Sequence, residues 1–171
     1  MKKILIIIFI CFFSFNYSLA DTPYFLDFKM ILNESTAGKK AQTYLKNKLD
    51  KGFKDLNSKK DKILDEEKKI VQQKKVITNE EYKKKISELR STVSSLQKER
   101  NTLIESVAKQ RAKAKSELLK NLNPIVKNYM KEKKIRMVVD KKNVLLADEN
   151  LDITKDIIEL LNQKLKSIKL N

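Results

Sequence analysis

The chain has 171 residues, 38 of them basic and 22 acidic, and a formal charge of +16 with no histidine. It holds one cysteine and two glycines, which removes the usual metal ligands, the usual nucleophile–base pairs and any glycine-rich phosphate loop. Neither an enzyme nor a cofactor is expected.

The first element is "MKKILIIIFICFFSFNYSLA". Lys2 and Lys3 form a basic start, Ile4 to Phe13 is unbroken apolar sequence, and Ser18-Leu19-Ala20 offers small residues at a cleavage site. Residues 1–20 therefore read as a secretory signal peptide cut after Ala20. The competing reading, an uncleaved anchor, is disfavoured because a bilayer span needs about 20 apolar residues. Cleavage would remove Cys11, so the exported chain would lack the disulfides on which small secreted domains lean.

"PYFLDF" at Pro23–Phe28 is a short apolar strand candidate. From Phe53 to Asn123 there is no glycine or proline, and helix-forming residues dominate. The spacing predicts a first helical arm from near Lys39 to Ile77, with Leu49, Leu56, Ile63, Ile70 and Ile77 at heptad intervals. A turn is predicted near Ile77–Asn79, where Thr78 and Glu81 make a capping box. The second arm runs to Leu122, with Tyr82, Ile86, Leu89, Val93, Leu96, Leu103 and Val107 on an a/d seam interrupted by Arg100 and Gln110. Two arms of similar length make a closed antiparallel coiled-coil hairpin. Too few apolar residues lie off the seams for an ordinary helical bundle.

Asn123-Pro124 predicts a helix stop and restart. "RMVVD" and "NVLLA" flank the polar turn "DKKN" and read as a β-hairpin. Asp152 or Thr154 is expected to cap a last helix whose apolar face includes Ile157, Leu160, Leu161 and Leu165. The fold class is thus α+β: residues 21–38 and 123–171 form a small β-containing body, and residues 39–122 form the helical hairpin arm. So small a body is marginal alone, which makes oligomerisation the remaining staple. Phe25, Leu26, Met137, Val138, Val139, Val144, Leu145 and Leu146 are the candidate oligomer-body residues.

Charge is segregated. Residues 39–75 carry 13 basic and 6 acidic side chains, net +7, and residues 80–134 carry 15 and 7, net +8. Residues 21–38 are net −2 and residues 135–171 net +1. Any single lysine on such a helix reads as solvated surface, but the one-sided total exceeds what solubility asks. It points to an acidic macromolecule or an anionic membrane surface. Few aromatic residues interleave with the basic ones, so nucleic acid ranks last and is not expected.

The two ends resemble the Skp/OmpH family of periplasmic chaperones. The resemblance lies in "FLDFKMILNESTAGKKAQTYL" and in "IRMVVDKKNVLLADENLDITKDIIELLNQKL", of which "VVDKKNVLLADENLDIT" is the most specific part. The middle is similar only as a lysine-rich hairpin, with "ITNEEYKKK" where the family turns. The resemblance implies a homotrimer in the periplasm, with a strand-built body and three hairpins hanging around a cavity. It implies an ATP-independent holdase for unfolded outer-membrane β-barrel proteins. Leu64, Val71, Val76 and Ile104 lie off the seams and are the client-binding candidates. The competing reading packs them within their own hairpin. The alternative function is a structural envelope spacer whose basic arms contact anionic lipid or lipopolysaccharide.

Overall fold

The structure, a computed structural model, describes residues 22–170. The expected signal peptide and Cys11 lie outside the described residues.

Strand β1 (Tyr24–Leu26) leads through Asp27 into helix α1 (Phe28–Glu34). Asp27 caps α1 by accepting from the Met30 N–H at 2.7 Å. The predicted strand is thus shorter than Pro23–Phe28, because a capping carboxylate at Asp27 starts a helix. Ser35 then breaks the chain with extended backbone and caps α2 (Thr36–Gln73) through its Oγ, which accepts from Gly38 N–H. α2 therefore begins a few residues before Lys39 and spans about 57 Å at 1.5 Å per residue. After a turn at residues 74–78, α3 (Asn79–Glu132) runs back alongside it. Pairings such as Lys48 with Ser106 and Lys59 with Glu99 give the antiparallel direction.

α3 does not stop at Asn123. It continues through Pro124 without interruption. Leu118, Leu122, Ile125 and Tyr129 follow one another at helical spacing across the proline, and all are buried in one core. That burial holds the helix together on both sides of the lost hydrogen bond. Lys120 and Pro124 lie on the exposed face, where water can meet the freed carbonyl.

The predicted β-hairpin does not form. β2 (Val138–Asp140) pairs in parallel with β1, Tyr24 opposite Val138 and Leu26 opposite Asp140. A 3-10 turn, Lys141–Asn143, follows, capped by the Asp140 carboxylate on Lys142 N–H at 3.1 Å. "DKKN" has no glycine for a tight primed turn, and the aspartate cap turns the chain away instead. Val144, Leu145 and Leu146 are consequently not a strand. Parallel strands need a long crossover, and here the crossover is the whole α1–α2–α3 excursion. A parallel bridge between Phe25 and Asp152 and a 3.0 Å bond from Ile153 N–H to the Phe25 carbonyl cover the other side of β1.

The final helix α4 (Thr154–Lys164) has no side-chain bond at its N-cap, Ile153. The Asp152 carboxylate instead accepts from the Thr154 N–H at 2.9 Å. Thr154 Oγ accepts from Asp27 N–H at 2.8 Å, and the Asn162 side chain accepts from Thr36 N–H at 2.7 Å. α4 is thereby stitched to both ends of α1. Ile31, Leu118, Ile125, Ile157 and Leu161 fill the main core between these helices. Leu160 and Leu165 pack at its edge.

Candidate functional site

The α2–α3 pair carries most of the charge and most of the exposed apolar side chains. Its turn is held by the capping box: Thr78 Oγ accepts from Glu81 N–H at 3.2 Å, and the Glu81 carboxylate accepts from Thr78 N–H at 3.0 Å. The Thr78 backbone and hydroxyl bonds hold the Glu81 carboxyl below its usual range.

Two apolar clusters line the interface between the helices. Near the turn, Ile63, Ile70 and Leu89 are buried, with Tyr82, Ile86 and Leu96 packed on them. Near the main core, Ala41, Leu45, Val107 and Ala114 are buried, with Leu49 and Leu103 against them. Leu56 and Ile77 are half-buried. Val93 is the exception among the expected seam residues, since half of it is exposed. α2 offers one apolar residue per heptad there, so α3 buries Leu89 and partly covers Leu96 but leaves Val93 half exposed. Gly52 lets the helices approach: a Cβ there would stand 2.4 Å from Leu103 Cδ2.

The sequence counts Gln110 as a gap in the seam, but it is satisfied. Its Oε1 accepts from Lys48 Nζ at 2.9 Å, and Lys48 Nζ also donates to Ser106 Oγ at 2.8 Å. Gln110 Nε2 donates to the Leu170 carbonyl at 2.7 Å.

Leu64, Val71, Val76 and Ile104 all lie exposed, with Val76 at the turn 81% accessible. Leu64 and Val71 are a heptad apart and share a face of α2. Val93 and Ile104 share a face of α3 by their eleven-residue spacing. Tyr44 is a further exposed apolar side chain that the heptad reading missed, because it is flanked by the seam positions Ala41 and Leu45. Lysines surround these spots. Lys74, Lys75, Lys83 and Lys84 flank the turn, and all four are exposed.

At the other end, Phe25 and Leu26 are buried within the chain itself. Val138, Val139 and Val144 are half-buried. Met137 is about half exposed, and Leu145 and Leu146 are over 90% exposed. An open groove of about 750 Å³ runs beside β2, lined by Leu26, Phe28, Pro124, Met130, Met137 and Val138. On the other side of β1, beside Phe25, Lys141 and Asp152 form a 2.9 Å ion pair. Burial pushes the Asp152 carboxyl up, but bonds from Thr154 and Lys141 outweigh it and hold it low. The same bond raises the Lys141 ammonium.

Among the described residues no group of histidine, cysteine or acidic side chains is placed to hold a metal ion, and no helix is long and apolar enough to cross a membrane.

The architecture is that of known proteins. The family described as outer membrane protein (OmpH-like) matches residues 24–161. The chain belongs to the OmpH-like family. Its structure is similar to the crystal structure of an OmpH-like protein from Caulobacter crescentus. The two share 19% identity at a TM-score of 0.80, over 86% of this chain and 89% of the other. No curated protein matches the chain. The match spans both strands, so the OmpH-like unit includes the parallel β1–β2 pair as well as the helices.

Proposed function

We propose that this OmpH-like protein is an ATP-independent periplasmic holdase that captures unfolded outer-membrane β-barrel proteins between basic helical arms and keeps them from aggregating. The observation that carries this reading is the surface of the α2–α3 pair. Its seam is closed by Ile63, Ile70, Leu89 and Val107, so the exposed Leu64, Val71, Val76 and Ile104 are not required to hold the helices together. They are isolated apolar spots on a strongly basic rod. Charge attracts an acidic unfolded chain and speeds capture. Scattered apolar contacts then hold it weakly at many points, which permits release.

A cavity needs more than one rod. Met137, Leu145 and Leu146, the open edge of β2 and the groove beside it support self-association through the strand-bearing end, as a homotrimer. In that assembly residues 21–38 and 123–171 form the body and residues 39–122 the arms. The export signal at residues 1–20 supports a periplasmic location.

The test is suppression of aggregation. An unfolded outer-membrane barrel diluted from denaturant should stay soluble at stoichiometric amounts of this protein without ATP. Aggregation at the uncatalysed rate would reject the holdase. Val76 beside Lys74 and Lys75 at the turn favours the second reading, a spacer resting its arm tips on anionic lipid. That reading predicts vesicle binding with no effect on aggregation.

A further inference from the structure

The groove at the base of the α2–α3 pair is filled by residues of the same chain that follow α4. α4 ends at Lys164, and Leu165 continues in extended backbone with φ −126° and ψ 106°. Ile168 and Leu170 pack inward while Lys169 between them is exposed, which is the alternation of a strand. Leu170 is 5% exposed and sits among Ala41, Leu45, Val107 and Ala114. The two alanines leave the space between the helices that Leu170 enters. Above it, Gln110 Nε2 holds the Leu170 carbonyl at 2.7 Å, and Lys48 orients the Gln110 amide from its other side.

Each of these contacts is generic. They need alternate apolar side chains and one backbone carbonyl, and nothing else about the tail. An unfolded stretch of a β-barrel offers the same chemistry, because its strands alternate apolar and polar residues and its carbonyls are unpaired. We infer that this groove is a second client site, built for a short extended segment of alternating apolar residues, and that residues 168–170 occupy it as a placeholder which a client displaces. The inference rests on the holdase reading above.

The placeholder has two physical consequences. A tethered segment competes at a high effective concentration, on the order of millimolar for short tethers. Single short peptides therefore lose to it, whereas a long client held at many other points along the arms does not. Displacement also loosens the joint between arms and main core, because Ile168 packs against both apolar clusters. Clients that enter the groove would thus free the arms to splay around them.

The test uses residues 21–171 and a fluorescent peptide of the sequence of residues 165–170. Leu170→Ser empties the pocket without changing charge, so electrostatic attraction to the basic arms is held constant. The variant should bind the peptide about tenfold or more tighter than the unaltered protein, as expected when a cis competitor is removed. A scrambled peptide that groups its apolar residues should show no such gain. Equal binding to variant and unaltered protein would overturn the inference. A second measurement avoids any loss of folding in the variant. In the unaltered protein, an unfolded outer-membrane barrel should speed hydrogen exchange at residues 165–170 while slowing it along the arms. Slowed arms with an unchanged tail would reject the placeholder and leave the holdase standing. No change in either would reject the holdase, and the peptide titration would still decide the groove.

Discussion

A Cβ on Gly38 would stand 2.0 Å from the carbonyl oxygen of Leu32. The two residues face each other across Ser35, where extended backbone separates α1 from α2. α1 folds back beneath the first turn of α2 so closely that only a hydrogen fits. The joint fixes the direction in which the long helices leave the strands. Gly38→Ala must push α1 away from the main core or distort the cap at Ser35. It should destabilise the protein by about 1–3 kcal/mol, the range for overpacked sites. Thermal unfolding measures this, and an unchanged midpoint would show that the joint yields freely.

The end of α3, on the same strand-bearing side as Gly38, contains the opposite case, a side chain where glycine fits better. Lys134 ends α3 with φ 55°. Ile135 N–H bonds back to the Met130 carbonyl at 2.8 Å and Lys134 N–H to Lys131 at 3.4 Å, which is the Schellman closure. The left-handed backbone costs a non-glycine residue about 1–2 kcal/mol, and glycine gives back about 0.5–1 of that as unfolded-state entropy. Lys134→Gly should therefore stabilise by about 0.5–1 kcal/mol, read as a higher denaturant midpoint at unchanged slope. A lower midpoint would mean that the lysine side chain contributes more than its backbone strain costs.

The contrast shows what a sequence can and cannot reveal here. The capping box at Thr78 and Glu81 and the heptads from Ile63 to Leu89 are local patterns, and local hydrogen bonds and helical spacing decide them. The strand pairing is not local. "VVD" and "NVLLA" alternate as a hairpin would, yet β1, more than a hundred residues earlier, takes β2 as its parallel partner. Pro124 misleads for the same reason. Its breaking signal is local, while the burial of Leu122 and Ile125 that overrides it depends on α4. Gln110 reads as a defect in the seam until Leu170, sixty residues later, supplies its acceptor. As for the site, the exposed positions Leu64, Val71, Val76 and Ile104 follow from their distance off the seam. Val93 does not, because its exposure depends on what α2 fails to place opposite it.

Tyr129 gives a pH signature of the main core. It is buried, and its hydroxyl donates to the Asp156 carboxylate. Burial, and next the bond to Asp156, push its pKa to about 12 from an ordinary 10. The folded state thus keeps the proton that the unfolded state has released. This contribution to stability is complete below pH 10 and is lost as pH rises from 10 to about 12. Absorbance titration of tyrosinate should show one late tyrosine, which Tyr129→Phe abolishes. That variant should also flatten the fall of stability across the same window. Titration of every tyrosine together near 10 would mean that the hydroxyl is not shielded by α4.

The proposed client surface makes the sharpest division between residues that look alike in composition. Ile63 and Ile70 are under 10% exposed, whereas Leu64 and Val71, one position later, are 41% and 57% exposed. The two pairs differ by a single step around α2. Ile63→Ser with Ile70→Ser removes seam burial worth about 1.5–3 kcal/mol per side chain. It should open the outer half of the arms, seen as faster hydrogen exchange from Leu56 to Leu96. Leu64→Ser with Val71→Ser, Val76→Ser and Ile104→Ser removes less buried area per side chain and should cost less exchange protection and thermal stability per residue than the seam pair. The second set should nonetheless weaken client binding severalfold, chiefly through faster release, because apolar contacts act after capture. Raising salt should act on the other step. Screening over about 8–10 Å at physiological ionic strength weakens long-range attraction, so association should slow several-fold in both unaltered protein and the serine set. If the exposed set bound clients as tightly as the unaltered arms, and salt alone changed affinity, charge would be the whole holding force and the apolar spots would be incidental.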